Sequence, residues 1–116
     1  MIRPGTQLRI LLATTPVDFR KGHDGLAQLV RHELRKDPFS GTVFVFRSKR
    51  ADRLKLLYWD GSGLVMSYKR LEDQSFVWPA VRDGLITLAP AQFEALFAGL
   101  DWRLVRPVKT RAPQAV

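Results

Sequence analysis

The sequence predicts an α+β domain, with an antiparallel meander in a sheet of about five strands covered by two helices. Three observations carry that prediction. Leu26, Leu29, Val30 and Leu34 recur at helical spacing. From residue 42 the pattern changes to β-branched and aromatic runs. Asp60-Gly61-Ser62-Gly63 then supplies the glycine-rich turn that joins adjacent antiparallel strands.

In chain order, Leu8 to Leu12 reads as a short strand ended by the Ala13-Thr14-Thr15-Pro16 turn. A connector, Val17 to Gly22, leads to a helix for which Asp24 is the expected cap. Asp37-Pro38-Phe39-Ser40-Gly41 ends that helix, since the residue before proline disfavours the helical region. Thr42 to Phe46 is apolar on both faces and reads as a strand buried on both sides. Arg53 to Trp59 is its antiparallel partner, Leu64 to Lys69 returns as a third strand, Phe76-Val77-Trp78 ends at Pro79, and Leu85 to Leu88 adds a further edge strand. Pro90 suits the first turn of a second helix, through Phe93, Leu96 and Phe97, that Gly99 closes. Residues 1–103 form one domain on this reading, and residues 104–116 a basic flexible tail.

The chain has 116 residues, of which 46% are apolar and 26% charged, enough for one core and too little chain for two domains. It contains no cysteine, which excludes disulfides and thiolate metal sites. No apolar run reaches the roughly 20 residues of a membrane helix. Met1 to Gly5 has no secretory pattern, so a cytoplasmic location is expected.

Charge is concentrated. The total is +8, and residues 47–55 and 102–116 each carry a surplus of four while the remainder is neutral. The first segment holds Arg47, Lys49, Arg50, Arg53 and Lys55 against Asp52. The second holds Arg103, Arg106, Lys109 and Arg111 without an acid. Clustered cations release counterions from a phosphate backbone, the footprint of a polyanion-binding surface. Neither segment has the apolar face of a membrane-surface helix. Strand parity puts Arg53, Lys55 and Trp59 on one side, a basic face with an aromatic platform. Which sides coincide across strands depends on the hairpin register, and that stays open at the level of sequence.

Catalytic constellations are missing. His23 and His32 are nine residues apart, about 900° around a helix, and point to opposite faces. Asp18, Asp60 and Asp101 each have a local role in a connector, a turn or a helix stop, so no metal-nuclease carboxylate cluster is expected. There is no nucleophile elbow and no phosphate-binding glycine loop. The expectation is a non-enzyme with no metal and no cofactor. Trp78, Trp102 and Arg103 are the expected anchors for a protein partner.

Several blocks occur together in one order. They are Val17-Asp18-Phe19-Arg20-Lys21-Gly22-His23-Asp24-Gly25-Leu26, Asp37-Pro38-Phe39-Ser40-Gly41 and Val43-Phe44-Val45-Phe46-Arg47. Asp52-Arg53-Leu54-Lys55, Leu57-Tyr58-Trp59-Asp60-Gly61-Ser62-Gly63 and Tyr68-Lys69-Arg70-Leu71-Glu72 follow. Phe76-Val77-Trp78-Pro79 and Gly99-Leu100-Asp101-Trp102-Arg103 complete them. From about residue 8 to residue 103 the chain resembles the small TnpB-type accessory proteins, the second open reading frame of insertion-sequence-66 family transposons. These are distinct from the RNA-guided nucleases that share the TnpB name. His23 and Ala89 depart from the family pattern, standing where a bulky apolar residue and a Ser or Thr cap are common. The resemblance implies a bacterial mobile-element protein that supports a separately encoded DDE-type transposase, and it transfers no catalytic residues.

The functional expectation is therefore a non-catalytic accessory factor that binds DNA. Arg47, Lys49, Arg50, Arg53 and Lys55 would hold phosphates, bordered by Trp59 and Lys69. If all five hairpin cations met phosphates, the log–log salt slope would be about −4.5, a loss of about 500-fold between 50 and 200 mM salt. The rival is an adaptor that docks onto the transposase without touching DNA.

Overall fold

The computed structural model describes residues 8–80 and 84–106. Five strands form one sheet in the order β4-β3-β2-β1-β5. They are β1 (Ile10–Ala13), β2 (Val43–Arg47), β3 (Arg53–Trp59), β4 (Leu64–Arg70) and β5 (Leu85–Leu88). Helix α1 (His23–His32) connects β1 to β2, helix α2 (Pro90–Phe97) follows β5, and a single 3-10 turn spans Trp102–Leu104.

The α+β class and the β2-β3-β4 meander agree with the sequence reading, and the sheet is mostly antiparallel. It is nevertheless mixed. Strand β1 runs parallel to β2, with Leu11 beside Phe44, and antiparallel to β5. The cause is α1, a crossover that returns the chain to the end of the sheet where β1 began.

Alternation divides the sheet residues between two cores. Leu11, Ala13, Phe44, Phe46 and Leu57 pack against Leu26, Leu29 and Val30 of α1. Ile10, Leu12, Val43, Val45, Leu54 and Leu88 pack on the other face with Leu96 of α2, Phe76 and Trp102. Strand β2 is thus covered on both sides, as its unbroken apolar run requires.

Helix α1 begins one residue before the expected cap. Gly22 is the extended N-cap, and Asp24 lies within the first turn, where its charge favours the positive end of the helix dipole. The helix stops at His32, ahead of the proline signal. Arg35 takes a left-handed conformation (φ 57), and the Lys36 amide donates back to the Val30 carbonyl at 3.1 Å. At the start of α2, Ala89 has no side-chain acceptor to offer. Gln92 supplies the reciprocal half of a cap, its Oε1 accepting the Ala89 amide at 2.9 Å.

Asp60 sets the β3–β4 turn. Its Oδ1 accepts the amides of Ser62 and Gly63 at 2.8 and 2.9 Å and the Ser62 hydroxyl at 3.0 Å. Gly61 has φ 102, a conformation that side chains resist. The Ser62 and Gly63 amides hold the Asp60 carboxyl below its ordinary value of 3.8. A carboxyl depressed in the fold stabilises it above the unfolded pKa and loses that contribution as pH falls through the lower folded value. Asp60→Ala is therefore expected to melt below wild type at neutral pH, with the gap closing below about pH 3.8. Thermal melts of both proteins between pH 7 and pH 2 check this, and a gap that stays constant would refute it.

Candidate nucleic-acid interface

The β2–β3 turn carries the first basic segment. Ser48 to Ala51 form a β-turn in which the Ala51 amide donates to the Ser48 carbonyl at 2.9 Å, and Ala51 is left-handed (φ 58). The segment that leaves β4 clasps this turn. The Leu71 amide donates to Asp52 O at 2.8 Å, the Phe76 amide to Ala51 O at 2.6 Å and the Ser75 hydroxyl to Arg50 O at 3.2 Å. Asp52, the one acid of the segment, accepts the Ser48 hydroxyl at 3.0 Å.

Lys49, Arg50 and Arg53 are exposed at this end, and none forms an ion pair among the described residues. The register places Arg53 opposite Arg70, an exposed like-charge pair that costs stability. Arg70 is held by Glu72 at 3.1 Å, a fully surface pair of small energetic weight. Arg70 stands outside the cations that the sequence assigns to the site. A two-fold count outward from the Asp60–Gly63 turn would have found it.

The other expected contacts lie elsewhere. Arg47 is half-buried and folds back on its own turn, its Nη1 donating to Lys49 O at 3.1 Å while Nε is buried without an acceptor. Lys55 is only 5% exposed. Its ammonium donates to the carbonyls of Phe19 and Lys21 at 2.8 and 2.9 Å and lies 5.0 and 5.4 Å from the ring centroids of Phe19 and Tyr68. Burial pushes this lysine below its ordinary pKa, with Asp18 opposing. Lys55 shares a side of β3 with Arg53, as strand parity predicts, but that side is roofed at Lys55 by the connector leading into α1. Lys69 is on the opposite face, across from Leu54, and its ammonium donates to Phe97 O and stands 4.4 Å from the Phe97 ring. Trp59 is six residues along β3 from Arg53, about 20 Å away, and it packs edge-on against Phe39.

The expected partner anchors are likewise engaged. Trp102 is 8% exposed and donates its indole N–H to Val77 O at 2.8 Å. Trp78 is half-buried and donates to Ala13 O at 2.9 Å. Arg103 closes a two-point pair with Asp101, at 2.8 and 2.9 Å, which holds the Asp101 carboxyl below its ordinary value. The sequence reads Trp102 as an exposed partner anchor because a basic segment follows it, whereas the 3-10 turn folds it onto the core. Trp102→Phe is expected to cost about 1–2 kcal/mol by leaving the Val77 carbonyl unpaired. Urea unfolding measures this, and an unchanged midpoint would remove the hydrogen bond from the account. Lys109 and Arg111 of the expected tail lie outside the described residues.

Among the described residues no three His, Asp or Glu side chains gather as a metal would need. No helix there is long and apolar enough to cross a membrane.

Structure and surface together define a small α+β domain, cored on both faces of its sheet, that presents unpaired cations on a clasped turn. The chain belongs to the family described as IS66 Orf2 like protein, which matches residues 8–107. It is 49% identical to uncharacterized protein y4jC of Sinorhizobium fredii (strain NBRC 101917 / NGR234), over all of this chain and 99% of that protein. It is 38% identical to uncharacterized protein y4hO of the same strain, over the same shares. No solved structure matches the chain.

Proposed function

We propose that this protein is a non-catalytic accessory factor for transposition of an insertion-sequence-66-type element, and that it binds DNA through Lys49, Arg50 and Arg53. Membership of the Orf2-like family supports the process. The observation that supports DNA contact is the exposure of Lys49, Arg50 and Arg53, none of which forms an ion pair among the described residues, on and beside a turn held by main-chain hydrogen bonds. Such groups hold phosphates and carry no base sequence.

A second reading has its own observation. Leu100 and Leu104, beside the end of α2, are 62% and 79% exposed. Exposed leucines of this kind suit a protein contact, and they replace Trp78 and Trp102 in an adaptor that docks on the transposase.

Two variants separate these readings. With Lys49, Arg50 and Arg53 all changed to Gln, mobility shifts on transposon-end DNA should disappear while transposase pull-down persists. Retained shifts would overturn the DNA-binding reading, and loss of pull-down with shifts kept in Leu100→Ser with Leu104→Ser would favour the adaptor.

A further inference from the structure

A second cationic surface lies at the far end of β3. The crossover brings the end of α1 to the edge where β3 finishes at Trp59, about 20 Å from Arg53. There Arg31, Arg35, Lys36, Asp37 and Phe39 line an open depression of about 560 Å³. Arg31, Arg35 and Lys36 are exposed and form no ion pair among the described residues. Two acids lie near them in sequence, Glu33 and Asp37, and the Asp37 carboxylate already accepts the Phe39 amide at 2.9 Å.

Phe39 is 46% exposed, far more than a phenylalanine ring usually is. Its ring is fixed edge-on to Trp59, with centroids 5.6 Å apart at 85°. The Arg31 guanidinium carbon lies over the ring, 5.8 Å from its centre. An exposed aromatic ring, edge-on to Trp59 with Arg31 over it, beside Arg35 and Lys36 that form no ion pair among the described residues, offers a stacking surface and phosphate contacts side by side. Duplex DNA keeps its base faces stacked inside, so a ring on the protein surface gains nothing from it. Unpaired bases present those faces, and stacking on aromatic side chains is tolerant of sequence. An acidic peptide would satisfy the cations and leave the ring unused.

We propose that this surface binds single-stranded nucleic acid, with Arg31, Arg35 and Lys36 on the phosphates and an unpaired base stacked on Phe39. The site is separate from the turn proposed to hold duplex DNA, and the two readings stand independently.

Fluorescence anisotropy with a labelled oligothymidylate of about 12 nucleotides, beside a duplex of equal length, tests it on the full chain. Phe39→Ala should weaken oligothymidylate binding about 5- to 150-fold and leave duplex binding unchanged. Phe39→Trp should keep the affinity, and matching circular dichroism melts establish that each variant folds. Arg35→Gln with Lys36→Gln should flatten the single-strand salt slope by about 1.4. The triple Gln variant of the β2–β3 turn should still bind oligothymidylate, which separates failure at one site from failure at the other. Wild-type affinity in Phe39→Ala overturns the proposal, including the case where only the charge variant weakens. Loss of oligothymidylate binding in the turn variant alone also overturns it.

Discussion

Changing Lys49, Arg50 and Arg53 together to glutamine should flatten the salt dependence of duplex binding from a log–log slope of about −2.7 to near zero. Wild type would then lose about 40-fold in affinity between 50 and 200 mM salt, and the variant almost none. The figure is smaller than the five-cation expectation because two of the five are engaged internally. Lys55 is bonded to two carbonyls under a roof of rings, and Arg47 is folded onto its own turn. Fold stability should survive, since the turn is held by main-chain bonds and not by these side chains. Titrations at four or five salt concentrations decide the matter. A wild-type slope near −4.5 would mean that Lys55 and Arg47 reach phosphates after all.

Lys55→Ala should lower stability by about 3 kcal/mol with no effect on that slope. The substitution takes the charged donor from the part-buried carbonyls of Phe19 and Lys21, and a hydrogen bond to a charged group contributes about 1.5–3 kcal/mol. It also opens a cavity where the aliphatic stem had packed. For a domain of this size the melting temperature should fall by more than about 10 °C. Lys55→Met, which keeps the stem, should fall in between, with only the acceptors stranded. A melting temperature within about 2 °C of wild type for Lys55→Ala would show the buried ammonium to be replaceable by solvent.

Local chemistry made much of this fold readable. The Leu26-Leu29-Val30 stripe, the apolar run of β2 and the Asp60-Gly61-Ser62-Gly63 turn each produce the element that they signal. Pairing between distant segments was not readable. Nothing in Ile10 to Ala13 says whether the strand will lie beside Val43 in parallel or at the antiparallel edge of a meander. The site was legible only in part for a related reason. A charge count along the chain finds Arg47 to Lys55, but exposure depends on what covers each side of a strand, and the cover of Lys55 comes from residues 34 and 36 positions earlier. The same count hides Arg31, Arg35 and Lys36, because Glu33 and Asp37 cancel most of their charge in sequence while forming no ion pairs with them in space.

The clasp from residues 71–76 onto the cationic turn has a thermodynamic consequence. A loop that orders on binding charges its lost freedom against affinity. This tip is already ordered by Leu71, Ser75 and Phe76, so on the DNA-binding reading any mutual adjustment falls to the double helix. Discrimination among duplexes would then follow how readily each one bends or narrows against a stiff protein, with easily deformed base steps favoured at positions that no side chain touches.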